Sequence, residues 1–492
     1  RKASFLTTVS LAAIIAAPSA VVAQNNNSVA SNVSAETLSN AWLDLGRRSV
    51  NRIQGSFDGA SGIIHAQENN GDANAINAAT AVQANVEEGR NRTTANATVD
   101  GRSAGNGLGS LDVAATDPER SNLIGSSFED ASGVATAQQN NGDGNTIAAA
   151  TSVSADTGDN GDTNQTAAAT GTVANGTLDY NSDRRNRAVN GALNDFQGVA
   201  TVQQNNGDGN VVGSSTSVAA NVGPGDVNQT VRVDGSVADT VSFDGASDFQ
   251  GTRRNAIDGA AKRLEGVASV QQNNGDNNVL GQATAVYANT GASTGDGNLE
   301  TSDQTAVTTG GSVQGGTLAE APADPTTDRS NAIDNGSFNN SAGILSVQQN
   351  NGSNNVMGQG KAVAVTQGSS DDIDAVERST ASTGGLVQDV ASYDGVFAAG
   401  QNRDNSLRDT FQNSRGIVDV QQNNGDQNVM GTSMTVTASL RDGPAEGGAN
   451  NTAAGGATVN NNTAIDDPAS DRTNGVRSGA FDGVKGNASA HQ

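Results

Sequence analysis

An aspartate follows an Asn-Asn-Gly turn at Asp72, Asp143, Asp208, Asp276 and Asp426, each at one fixed place in a recurring segment. Such turns bring carboxylate and carbonyl oxygens together, the ligand set that Ca2+ prefers. A row of calcium sites is therefore one expectation. A turn cap is the other, and Ser353 at the equivalent place favours it, because a hydroxyl caps a turn and supplies no carboxylate. An arginine also recurs, at Arg120, Arg185, Arg254, Arg329, Arg403 and Arg472, and the first five lie 17 to 19 residues before their segments. Stacked copies would align these arginines in a column able to bind an acidic polysaccharide or another carboxylate-bearing partner. Pairing with neighbouring carboxylates to close each rung is the preferred expectation, since 52 acidic residues are available.

Little else in the chain has the makings of catalysis. His65 stands where other copies carry Thr201 or Ser269, and a catalytic histidine confined to one copy of a repeat is a poor candidate. There is no cysteine, which excludes disulfides, thiol chemistry and Cys-based zinc sites, and with two histidines a multi-histidine metal site is not expected. No nucleophile elbow or phosphate-binding loop is present. The expectation is a protein that is not an enzyme and needs no cofactor, Ca2+ being the one ion with a candidate site.

The segment that carries these residues is repeated. It reads QENNGDAN from Gln67, QQNNGDGN from Gln138 and Gln203, QQNNGDNN from Gln271, QQNNGSNN from Gln348 and QQNNGDQN from Gln421, at intervals of 71, 65, 68, 77 and 73 residues. Upstream come Arg-x-Asn, a large apolar residue such as Phe128, Phe338, Phe411 or Phe481, and a Gly-aliphatic pair such as Gly198-Val199. Downstream come two Thr/Val/Ala-rich stretches separated by a variable acidic turn. The flanking stretches have a period near two and read as strands. Asn-Asn-Gly-Asp is turn chemistry, so the core reads as strand, tight turn, strand. The Arg-x-Asn segment reads as a short helical turn or a loop.

Hydrophobic residues make up 34% of the 492 residues and aromatics 3%. One unit cannot bury enough apolar surface to offset its own ordering entropy. Stacked at about 4.8 Å, its Val and Ala faces close on those of its neighbours and identical amide side chains line up. The fold class expected is all-β, a parallel β-solenoid of stacked repeats with looped insertions. Strands of about five to eight residues suggest two or three rungs per repeat. The ladder residues expected are Gln67, Gln138, Gln203, Gln271, Gln348 and Gln421, with Asn74, Asn145, Asn210, Asn278, Asn355 and Asn428.

The domain organisation follows from the repeat and from the first residues. Arg1-Lys2, an uncharged run from Phe5 to Ala17 and the small residues before Gln24 read as a secretory signal peptide over 1–23. Residues 24–46 read as a leader or cap, 47–470 as a six-copy array of roughly 70-residue units, and 471–492 as the start of a truncated seventh copy. The expected location is extracellular or on the outer cell surface, with no transmembrane span in the mature chain. A net charge of −25 repels nucleic acid. The expected partners are the chain itself or other matrix and surface components, with polysaccharide as a further candidate.

The core resembles the curlin repeats of bacterial curli and, more loosely, the Asn/Gln-rich repeats of other secreted functional amyloids. Gln204, Gly207 and Asn210, like Gln272, Gly275 and Asn278, take the places of the curlin Gln, Gly and Asn. The gap from Gln to Gly is one residue longer, the unit is roughly three times longer, and its second half has no curlin counterpart. The resemblance implies a secreted structural or adhesive protein of a fibre, surface or biofilm matrix, exported through an outer-membrane secretion channel. The alternative class is a calcium- or polysaccharide-binding solenoid module.

Overall fold

A computed structural model describes residues 27–37, 49–71, 74–85, 92–104, 119–156, 162–174, 177–180, 183–189, 191–221, 227–238, 241–244, 252–289, 300–314, 317–320, 328–368, 375–388, 391–393, 402–441, 449–460, 463–465, 471–477, 480–482 and 484–491. Every regular element among them is a strand. The strands form five parallel sheets of seven, seven, six, seven and five strands, each strand paired with its counterparts from neighbouring repeats. The chain is a parallel β-solenoid.

The third coil shows the plan. Its strands are Asp183–Val189, Gln197–Asn205, Val211–Asn221, Val227–Ala238 and Val241–Asp244, placed in the first to fifth sheets in that order. One repeat therefore makes one coil, not the two or three rungs expected. Strands of up to 15 residues use the repeat's length in a single pass. With strands spaced about 4.8 Å apart, six steps between coils span only about 29 Å along the stack.

Within a coil the strands fold back on one another as four layers. The strands Gln197–Asn205 and Val211–Asn221 are buried on both faces, whereas Val227–Ala238 alternates buried and open. The second and third sheets are thus the inner layers, and the first and fourth are the outer ones. Ile124, Phe128, Ala200, Val202 and Ile257 pack between the first and second sheets. Val134, Val199 and Val267 meet Val153, Val218 and Val286 between the second and third. Ala148, Ala150 and Ala283 meet Ala97, Ala167 and Val231 between the third and fourth. This packing explains how a chain poor in large apolar residues builds a core. Four thin layers leave only small gaps, which Ala and Val fill, and each coil completes the core of the next.

One expectation about local structure is corrected. The Arg-x-Asn segment is neither helical turn nor loop but the strand of the first sheet, with Arg184 and Asn186 paired to Arg120 and Asn122 in the coil before and to Arg253 and Asn255 in the coil after. The Asn-Asn-Gly-Asp segment lies between two strands, as the strand-turn-strand reading expects, and it joins two sheets, since those strands pair with other coils and not with each other. The left-handed residue of this arch is Gly144, Gly209, Asn277, Asn354 and Gln427 in successive coils, with φ from 55° to 64°. Glycine is required at Gly207 for another reason. A Cβ there would lie 1.9 Å from the carbonyl oxygen of Gly275 in the next coil. Backbones approach that closely only where no side chain intervenes.

The apolar corner between the first and second sheets is a stack of its own. Phe57 and Phe128 have ring centroids 5.2 Å apart, and Phe338, Phe411 and Phe481 continue at 5.3 Å. Leu193 and Ala261 hold this left-handed corner position in the two coils between. Strand Asn27–Thr37 of the expected leader pairs with Arg92–Ala104 and so joins the fourth sheet. The expected signal peptide lies outside the described residues. Among those residues no helix is long and apolar enough to cross a membrane.

Candidate functional site: amide ladders and a buried arginine column

The second-sheet strand ends in Gln-Gln-Asn, and strand alternation sends the two glutamines to opposite faces. The expected row of first glutamines is a continuous ladder. Gln67 donates to Gln138 at 2.8 Å, Gln138 to Gln203 at 2.8 Å, Gln203 to Gln271 at 2.9 Å, and Gln271 and Gln348 to Gln348 and Gln421 at 3.0 Å. The remaining amide hydrogen of Gln203 turns to the third sheet, at the carbonyls of Ala148 and Val212. The second glutamines form another ladder of opposite polarity, in which Gln204 donates back to Gln139 and Gln272 back to Gln204, both at 2.8 Å.

The asparagines form further rows. Asn205 donates to Asn140 at 2.9 Å, Asn206 to Asn274 at 3.0 Å, and Asn186 to Asn255 at 3.1 Å. The row of Asn74, Asn145, Asn210, Asn278, Asn355 and Asn428 is built differently from an amide-to-amide ladder. Each side-chain oxygen accepts the backbone N–H of the next asparagine in the row, as Asn145 accepts from Asn210 at 2.7 Å. From Asn145 onward the same pattern recurs through Asn278, Asn355 and Asn428. Buried amides are tolerable here because both donors and acceptor are used.

The arginine column exists, but with two different members and a different role. Arg184 and Arg253, not Arg185 and Arg254, share the row of Arg120, Arg329, Arg403 and Arg472. In each Arg-Arg pair, strand alternation turns one residue inward and the next outward. The inward guanidiniums reach the Asp turns. Arg120 meets Asp143 at 2.9 Å, Arg184 meets Asp208 at 2.7 Å, Arg253 meets Asp276 at 2.7 Å and Arg403 meets Asp426 at 2.9 Å. Arg253 also reaches back to Asp208, and Arg329 to Asp276, both at 3.4 Å. Where Ser353 replaces the aspartate, Arg329 donates to its hydroxyl at 3.2 Å. Of the expected column, burial withdraws Arg329 and Arg403 from a partner, whereas Arg185 and Arg254 lie on the outer face.

These ion pairs also define what the Asp turns do. Asp143, Asp208, Asp276 and Asp426 face guanidinium groups, and no cluster of three potential metal ligands occurs among the described residues. Asp72 lies outside those residues. Asp208 is fully buried, and that burial pushes its carboxyl up, to about 7, against the pull of Arg184 and Arg253.

Three departures from the repeat are built into the ladders. Glu68 replaces a glutamine at the first-coil end of the second ladder and accepts from Gln139 at 2.7 Å. A residue at that end only accepts, which suits a carboxylate; burial pushes its pKa up. His65, whose pKa burial lowers, faces Thr80 at 3.3 Å. Lys361 and Asp419 form an ion pair at 2.9 Å between the third and second sheets, with both side chains almost fully enclosed. They sit in rows otherwise held by residues such as Thr216 and Thr284, and Ser269 and Ser346.

No family model matches the chain, and no curated protein or solved structure matches it. Sequence reasoning named one glutamine row and one asparagine row. It missed the rows of Gln204, Asn205, Asn206 and Asn186, whose recurrence at fixed offsets was the available signal. It also missed Lys361 and Asp419, whose signal was a charge in each of two uncharged rows.

Proposed function

We propose that the chain is a secreted structural or adhesive element of a bacterial surface, fibre or matrix, and that it acts through a fixed stacked scaffold and not through catalysis. The observation that carries this reading is the unbroken glutamine ladder from the first coil to the sixth, buried from the second coil onward. Such ladders hold neighbouring coils in one register and bury polar groups at no cost in unsatisfied hydrogen bonds. A scaffold of this kind spends its inward residues on stacking and leaves the outward faces of the first and fourth sheets for contact. Asn228, Thr230 and Arg232 are exposed on the fourth sheet, and Arg187 and Arg254 on the first. The resemblance of the Gln-Gly-Asn pattern to curlin repeats supports the same role, including secretion and association with matrix components.

The test is structural. Purified mature chain should give a β-type circular dichroism spectrum and, when oriented or concentrated, a reflection near 4.8 Å along the stacking direction. A random-coil spectrum across salt conditions would remove the proposal.

A further inference from the structure

The outward rows of the first sheet are free of the ladder constraint, and at one place they become basic. Arg185 pairs in register with Arg254 on the next coil, and Arg187 lies two residues along the same face as Arg185. Adjacent strands lie about 4.8 Å apart and alternate residues roughly 6.6 Å apart, so the three guanidiniums share one small patch. Arg187 and Arg254 are exposed and have no carboxylate partner among the described residues. Arg185 is 42% exposed and held in place by Glu119 at 3.4 Å and Asp183 at 3.1 Å. In the coils on either side the register partners of Arg185 and Arg254 are Ser121 and Ser330.

We infer that Arg185, Arg187 and Arg254 form a binding site for a linear polysaccharide bearing carboxylates or sulfates. This deepens the adhesive reading and rests on it. Guanidinium groups match planar and tetrahedral oxyanions through paired N–H donors. Around the patch the outward rows carry Ser121 and Ser330 beside Arg185 and Arg254, and Leu123 and Ala256 beside Arg187. The described first-sheet strands hold no aromatic residue, the commonest central anchor of a protein interface. Nucleic acid is disfavoured because its charge density, one phosphate per about 1.7 Å of duplex, meets a chain of net charge −25. A polysaccharide with at most about one charge per sugar needs only this local patch.

The experiment is calorimetric titration of the full chain with polygalacturonate as the carboxylate probe, κ-carrageenan as the sulfate probe and dextran as the neutral control. The native chain should bind an acidic probe at low ionic strength, bind more weakly as salt is added, and ignore dextran. The double variant Arg187→Gln with Arg254→Gln should bind about tenfold more weakly or not at all, with an unchanged circular dichroism spectrum. Absence of binding by the native chain, or equal binding by the double variant, overturns the site. So does glycan-independent self-association of the native chain that the double variant loses, since the patch would then serve a second copy. An unchanged β-type spectrum separates each of these failures from failure of the scaffold itself.

Discussion

Gln203 donates from Nε2 to Oε1 of Gln271 at 2.9 Å, although 68 residues of chain separate the two. Gln138 donates to the Oε1 of Gln203 in the same way from 65 residues upstream. A single side chain is therefore both acceptor and donor in a row that crosses coils. Replacing it leaves two buried amides each short of a partner. Gln203→Leu should cost about 1–3 kcal/mol, the desolvation penalty of unsatisfied groups. Gln67→Leu, at an exposed position in the first coil, should cost less than about 1 kcal/mol. Urea denaturation of the two variants checks the difference; equal effects would mean that the row is not a ladder.

The glycine of the arch sets a steric limit of another kind. Gly207→Ala places a Cβ 1.9 Å from the carbonyl oxygen of Gly275, so one backbone must move. The expected loss is at least about 3 kcal/mol, the upper end for overpacking. A thermal melt unchanged from that of the native chain would show that neighbouring coils are not stacked so closely.

Lys361 and Asp419 are a register mark between the fifth and sixth coils. Either single change, Lys361→Met or Asp419→Ser, leaves one buried charge without its counter-ion and should cost about 3–5 kcal/mol. The double variant should be near neutral, because Met434 and Ser346 already occupy the same rows in adjacent coils. A double-mutant cycle measures the coupling, and additive losses would contradict the pair.

Stability should rise as pH falls from about 8 toward 5. Asp208 and Glu68 both have folded-state pKa values raised by burial, to about 7 for Asp208. A raised acid contributes stability that is fully present below its unfolded pKa and is lost as pH rises through its folded pKa. His65, with a lowered pKa, works in the opposite sense below its unfolded value near 6.5. Thermal melts across this range should show the slope, and Asp208→Asn should flatten it. A profile that rises with pH would contradict the assignment.

Calcium should leave the melting temperature unchanged, and so should a chelator. The carboxylates that a cation would need already accept from Arg120, Arg184, Arg253 and Arg403. A large stabilisation by calcium would place the metal reading above the ion-pair reading.

The sequence showed the stacking because identical residues recur at one offset, and in-register parallel pairing demands that recurrence. It did not show how many rungs a repeat makes. That number depends on layers packing through small residues such as Ala148 against Ala167, and a period-two pattern does not reveal which strands lie inside. The choice between Arg184 and Arg185 was equally hidden. Two adjacent arginines differ only in the face they take, and register with Arg120 decides which is inward. The Arg-x-Asn strand was missed because its polar residues match a buried ladder and not an apolar face.

In-register stacking of consecutive coils is tested most directly by engineered disulfides, since the native chain has no cysteine to confuse the result. Thr166 and Thr230 are register partners in the fourth sheet, 64 positions apart in sequence, on its outer side. Thr166→Cys with Thr230→Cys should form an intramolecular disulfide under mild oxidation, because adjacent strands bring Cα atoms within the about 4.4–6.8 Å that the bond requires. Thr166→Cys with Ser236→Cys, six residues out of register, should not. Cross-linking of both pairs alike, or of neither, would contradict the stacked solenoid.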